Sequence, residues 1–307
     1  MYASSAPSSS LTRLYICAKL ERVFFSASSF KKIFFYCFNV QFIYLIRWCI
    51  KPISKHKMCN RALIVSVTGF YPEAGLEKRN GAYRDVRRLH RVLSKLGFSV
   101  KILNDLEADE IYEAFKTESE KAVDSCFVGV ISSHGEEGVI FGADGHPVRL
   151  GHLYSYFGGL EMAGKKKMFL IQACRGNELD DGVKIESDGL SEVSSVSECL
   201  SVPLDSVVVY ATPPGYSAFM NLAGSVFIQT FCELLEDGGA ELEVTRLLTR
   251  LNHHIAHHFQ ARGQTLGGKK EMPCFVSRLT TDFFLSTDSR KKQECEASLR
   301  ARKSSVG

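Results

Sequence analysis

Residues 126–135 read Cys126-Phe127-Val128-Gly129-Val130-Ile131-Ser132-Ser133-His134-Gly135, an apolar run of strand length that stops at serine, histidine and glycine. Apolar runs this short, without polar alternation, are the pattern of strands covered on both faces. A similar run at Lys167–Ile171 leads into Gln172-Ala173-Cys174-Arg175-Gly176. Ala62–Val67 is another, ending at Thr68-Gly69, and Ser206–Ala211 a fourth. Helical spacing fills the intervals. Val86, Leu89, Val92, Leu93 and Leu96 recur on one face, with Gly97 placed for a left-handed C-terminal cap. A strand near Phe98–Leu103, a helix near Ala108–Lys121, a hairpin around Asp144-Gly145 and a short helix over 151–157 follow. Two amphipathic helices near 224–236 and 242–259 and a last strand at Met272–Leu279 complete the series. Strand and helix in turn predict an α/β sandwich, with a mostly parallel central sheet and helices on both faces.

The chain has 307 residues, 45% of them hydrophobic, enough for one substantial core. Thirty-eight basic residues stand against 34 acidic ones and are dispersed, so nucleic acid is not expected as a partner. The 10 cysteines show no CxxC pair and no regular spacing, which fits neither a zinc site nor a disulfide framework and points to the reducing cytoplasm. Ile33–Ile50 is apolar but broken by Asn39, Gln41 and Arg47, a poor match to the roughly 20 apolar residues of a membrane span. Residues 1–57 therefore read as an N-terminal extension of unknown role, with a tether or targeting segment as the other reading. Residues 177–203 are rich in Ser, Asp, Glu and Gly and read as a linker inside the domain; residues 287–307 read as a disordered tail.

Two groups with chemistry fall just past strand ends: His134 after one and Cys174 after the other. Reacting groups gather at the carboxyl ends of strands in open parallel sheets. If the two strands are neighbours, imidazole and thiol come within hydrogen-bond reach. The imidazole then activates the thiol and later protonates a leaving amine. Backbone N–H groups of Gly135 and Cys174 would form an oxyanion hole. Away from these strand ends, His253, His254, His257 and His258 form i, i+4 pairs without a carboxylate at ligand spacing, and they read as an exposed helix face.

Gln172–Gly176 is the pentapeptide signature of caspases, and the chain resembles that family further in Ser133-His134-Gly135-Glu136-Glu137-Gly138, Pro214-Gly215-Tyr216, Phe227-Ile228-Gln229 and Pro273-Cys274-Phe275-Val276-Ser277. The resemblance covers about residues 60–285 and implies a caspase-like sandwich. It also implies a cysteine endopeptidase that cuts after aspartate, with Cys174 as nucleophile, His134 as acid/base and no metal or organic cofactor. Arg79 matches one of the two arginines with which caspases hold the aspartate, and Gln172 matches the accompanying glutamine. The second arginine is replaced by Met220, Ser217 stands where tyrosine is usual, and Phe219 matches an aromatic wall.

The resemblance further implies a zymogen cut after Asp188, before Gly189, with Asp181 as a weaker second choice. Large-subunit (58–188) and small-subunit (204–286) regions would flank the linker remainder (189–203). The processed subunits would form a two-fold dimer through the final strand. Protein substrates, an upstream activating caspase and inhibitor proteins are the expected partners in apoptosis. No amphipathic helices of the death-fold kind are legible near the start, which favours an executioner-like role. Met220 keeps open an alternative, a weakly active or inactive relative that regulates an active caspase by dimerising with it.

Overall fold

Side chains along each central strand divide between two faces, and this alternation builds the molecule. Ala62 and Ile64 join one apolar cluster with Val128, Val130, Met168, Leu170, Val207 and Val209. Leu63 and Val65 join the other with Phe127, Ile131, Phe169, Ile171 and Val208. Since neither face meets water, the strands need apolar residues at every position, which is why they read as unbroken runs.

The computed structural model describes residues 59–180, 201–264 and 266–286. In chain order the elements are β1 (Arg61–Ser66), α1 (Ala82–Lys95), β2 (Ser99–Asn104), α2 (Ala108–Ser119), β3 (Cys126–Ser132), β4 (Gly135–Glu136), β5 (Val139–Phe141), β6 (Pro147–Arg149) and α3 (Leu150–Ser155). Then come β7 (Lys166–Gln172), β8 (Ser206–Tyr210), β9 (Met220–Asn221), β10 (Gly224–Ser225), α4 (Val226–Glu236), α5 (Val244–His258) and β11 (Cys274–Ser277). The main sheet runs β11-β8-β7-β3-β1-β2; its neighbours pair in parallel except β11, which lies antiparallel to β8 at one edge. Helices α1, α4 and α5 cover the first face, and α2 and α3 the second. No helix among the described residues is long and apolar enough to cross a membrane.

Local chemistry explains the element ends. Gly97 takes φ +84°, and Phe98 N–H donates to Leu93 O at 3.0 Å, closing α1 as its sequence predicts. Helix α2 begins at a capping box in which Glu107 and Glu110 each bond the other's backbone.

Several expectations are corrected. The helices expected from 224 and 242 begin two residues later, because Gly224–Ser225 forms β10 and the Ser225 hydroxyl caps Ile228 N–H at 3.2 Å, while Glu243 caps α5. The last strand is confined to Cys274–Ser277; Pro273, with no N–H to donate, precedes its start. The hairpin at Asp144-Gly145 gains a third strand, β4. The linker is anchored at its described ends: Glu178 bridges Tyr216, Asp180 bridges Lys270, and Val202 is buried in the second cluster. The 1–57 extension, Asp181, Asp188, Gly189 and the 287–307 tail lie outside the described residues.

Candidate active site

Strands β3 and β7 are adjacent and in register, with Ser132 opposite Gln172. His134 and Cys174 each follow two residues after that pair. Ser133 N–H donates to Gln172 O at 3.1 Å, so the two turns leave the sheet together. Gly135 is the residue type this turn requires: a Cβ there would lie 2.7 Å from Val139 O and 3.2 Å from Cys174 O. The segment after Cys174 then zips onto the 215–217 loop. Arg175 N–H donates to Tyr216 O at 2.9 Å, Gly215 N–H to Arg175 O at 2.9 Å and Ser217 N–H to Glu178 O at 2.9 Å.

These contacts bring His134, Cys174, Arg79, Gln172 and Met220 to one cleft of about 420 Å³. The imidazole and thiol share the cleft without bonding each other. His134 Nε2 lies 2.8 Å from Glu77 O, and a carbonyl can only accept, so Nε2 carries the proton and the neutral ring keeps its lone pair on Nδ1. Burial lowers the His134 pKa from its usual value, the Glu77 hydrogen bond opposes this and the Arg79 charge adds to it. Cys174 Sγ meets the Ala218 backbone instead, accepting from its N–H at 3.4 Å and lying 3.9 Å from its carbonyl.

Arg79 is only 8% exposed. Nη1 donates to Val67 O at 2.8 Å and Nη2 to Ser132 Oγ at 2.9 Å, and it forms no ion pair among the described residues. Burial pulls its pKa down to about 10, with Asp85 acting in the opposite direction. Beside it, Gln172 is 2% exposed and its Oε1 has no partner among the described residues. Asp85, which no sequence pattern singles out, accepts from Ser225 N at 3.0 Å and Gln229 Nε2 at 2.7 Å, tying α1 to α4. Its role comes from two contacts more than 100 residues away, which no local pattern encodes. Glu77 acts through a backbone carbonyl and is equally silent in sequence.

Ser217 and Phe219, expected to bind substrate, lie in the loop beside the cleft. The Ser217 hydroxyl donates to Gly176 O at 3.0 Å, and the Phe219 ring packs on Phe259 with centroids 5.3 Å apart; neither lines the cleft. Ala218, Met220, Asn221 and Leu222 border the cleft, while the Phe219 ring turns to Phe259, just past the end of α5. The histidines 253, 257 and 258 are exposed on α5.

A thiol, an imidazole and an unpaired guanidinium in one cleft at the carboxyl ends of parallel strands define a class: a thiol hydrolase with room for an acidic side chain. A family model described as the caspase domain matches residues 59–284. The chain is 39% identical over 230 residues to caspase-3 of Mesocricetus auratus, covering 72% of this chain and 82% of that one. It is 34% identical over 241 residues to caspase-7 of Gallus gallus, with 75% and 78% covered. The crystal structure of caspase-1 from Spodoptera frugiperda superposes with a TM-score of 0.65 at 29% identity, covering 75% of this chain and 91% of that one. The chain belongs to the caspase family and is a caspase-type cysteine endopeptidase.

Proposed function

We propose that this peptidase cuts protein substrates after aspartate, with Cys174 as nucleophile and His134 as acid/base, and that it works in the cytoplasm in apoptotic proteolysis. The observation that carries the reading is the buried Arg79, which brings a guanidinium without a counter-ion into the cleft that holds both the thiol and the imidazole. A substrate carboxylate supplies the missing charge, and Gln172 stands beside it.

In this reading neutral His134 takes the Cys174 proton on Nδ1, because Nε2–H is held by Glu77 O. The thiolate attacks the scissile carbonyl. The oxyanion is met by backbone N–H groups, for which Cys174 N–H is available, since it has no partner among the described residues. Nδ1–H then protonates the leaving amine, and water releases the acyl group by the reverse sequence. Activation is by cleavage after Asp188, by an upstream caspase or by the enzyme itself. It yields large (58–188) and small (204–286) subunit regions that dimerise and are open to inhibitor proteins.

The family match and this cleft favour the peptidase over the regulator. Incubation with an aspartyl-fluoromethylketone should label Cys174 in the full chain and leave Cys174→Ala unlabelled and uncut. Mass spectrometry of the processed parent should find a new N-terminus at Gly189. An unlabelled parent, or a Cys174→Ala chain that still processes itself when expressed alone, would refute the assignment.

A further inference from the structure

Glu271 is a carboxyl that the cleft chemistry above does not use. It is 1% exposed, it sits three residues before β11, and its Oε2 accepts from Phe219 N–H at 2.5 Å. Its Oε1 is buried with no partner among the described residues.

The group at the other end of that hydrogen bond gives it meaning. Phe219 N–H belongs to the same peptide unit as Ala218 C=O, and a trans peptide is a rigid plane whose N–H and C=O point in opposite directions. The Ala218 carbonyl lies 3.9 Å from Cys174 Sγ, and Ala218 N–H, which belongs to the preceding peptide unit, donates to the same sulfur at 3.4 Å. The carbonyl edge of the Ala218–Phe219 unit therefore faces the thiol, and its N–H edge is pinned by Glu271. We propose that Glu271 is a positioning residue that fixes the Ala218–Phe219 peptide plane across Cys174, and through it the adjoining Met220 wall of the cleft.

The choice of a carboxyl, where an amide would bond the same N–H, makes the device titratable. Among the described residues, no charged group answers Glu271 from the elements packed around it. The loop offers the Phe219 N–H, and α5 gives way to Phe259. Lys270 turns its ammonium onto Ala256 O at 3.3 Å and Phe259 O at 2.9 Å, while the α5 histidines 253, 257 and 258 lie on its exposed side. Burial pushes the Glu271 pKa up to about 8, opposed by the Phe219 hydrogen bond. The carboxyl is neutral at neutral pH. Once ionised it is a buried anion with no cation, a state that the site relieves by admitting water or releasing the loop. Substrate processing is thereby tied to the ionisation of a residue that never touches substrate.

This rests on Cys174 as the nucleophile, which aspartyl-fluoromethylketone labelling at pH 7 checks by itself. The test compares the full processed chain with Glu271→Gln, which keeps an acceptor but cannot ionise, and with Glu271→Ala, which loses the acceptor. The parent kcat/KM should fall about tenfold between pH 7 and pH 9, as expected one unit above the controlling pKa. Glu271→Gln should match the parent within about twofold at pH 7 and keep its activity to pH 9. Glu271→Ala should lose about tenfold at pH 7 for one missing hydrogen bond, with an unchanged melting profile. Labelled enzymes whose parent and Gln profiles superimpose from pH 7 to 9.5 overturn the proposal even if the Ala variant is slow, because packing alone would then explain the loss. A parent that is not labelled overturns the nucleophile assignment, and this proposal with it.

Discussion

At the scale of the residue, the proposed reading makes Met220 the position that sets how strongly the cleft holds an aspartate. Its side chain is half-buried at the cleft border, and its backbone is held opposite Ser225 in the β9–β10 pair. A thioether donates nothing to a carboxylate, so in that reading Arg79 and Gln172 carry the recognition. Met220→Arg should raise kcat/KM for an acetylated aspartyl tetrapeptide by about ten- to a hundredfold, the range of one charge-assisted hydrogen bond. An unchanged constant at matched active-site concentration would mean that the pocket uses another donor. As the proposed base, His134 would set the acid side of the pH profile. Burial lowers its pKa, so the neutral base persists below the usual imidazole value and protonates only as pH falls further. The acid limb of kcat/KM should therefore lie below pH 6.5, the ordinary histidine value; a limb centred above it would contradict a desolvated base. His134 and Cys174 were read from their strand-end positions and Arg79, Gln172 and Met220 from the caspase resemblance, and the structure brings all five to one cleft. Ser217 and Phe219 were legible as neighbours of the site but not as braces, since the direction of a loop side chain depends on partners such as Gly176 and Phe259.

At the scale of the element, the strands and long helices follow their sequence patterns to within a few residues, because two-sided burial and one-sided helical burial each leave a periodic signature. The short elements do not. Gly135–Glu136, Met220–Asn221 and Gly224–Ser225 are two-residue strands, too short for any periodicity, and they exist because distant segments offer them hydrogen bonds. One such long-range contact is testable. Gly81 caps α1, and a Cβ there would lie 1.9 Å from Asn221 O and 3.1 Å from Met220 Cγ. The glycine φ of −91° suits alanine, so the substitution strains nothing locally and acts by pushing β9 outward. Gly81→Ala should raise KM for the same peptide by about tenfold, within the range of overpacking costs, while changing kcat less. Equal losses in both constants would place the damage at the thiol instead of the β9 wall.

At the scale of the whole molecule, the main sheet ends differently on its two sides. β11 pairs with β8 along one edge, and its other edge has no strand beside it among the described residues. Cys274, Phe275 and Val276 are half-buried there, a short apolar edge of the kind proteins cover. The proposed dimer covers it with β11 of a second copy, in keeping with two-fold self-complementary pairing. The ladder shows how to test that without disturbing the fold. Arg278 N–H donates to Ser206 O at 2.8 Å, and donor direction alternates along a strand. The N–H groups of Cys274 and Val276 therefore also face β8, and those of Phe275 and Ser277 face outward. Ser277 is exposed, so Ser277→Pro removes an outward donor while sparing the β8 ladder and the core. Sedimentation velocity should show the parent as a dimer at micromolar concentration and the proline variant as a monomer, with a melting temperature within a few degrees of the parent. Peptidase activity should fall with the dimer fraction if the second copy steadies the 215–220 loop. An undiminished dimer in the proline variant would place the contact on another surface and leave β11 as an ordinary sheet edge.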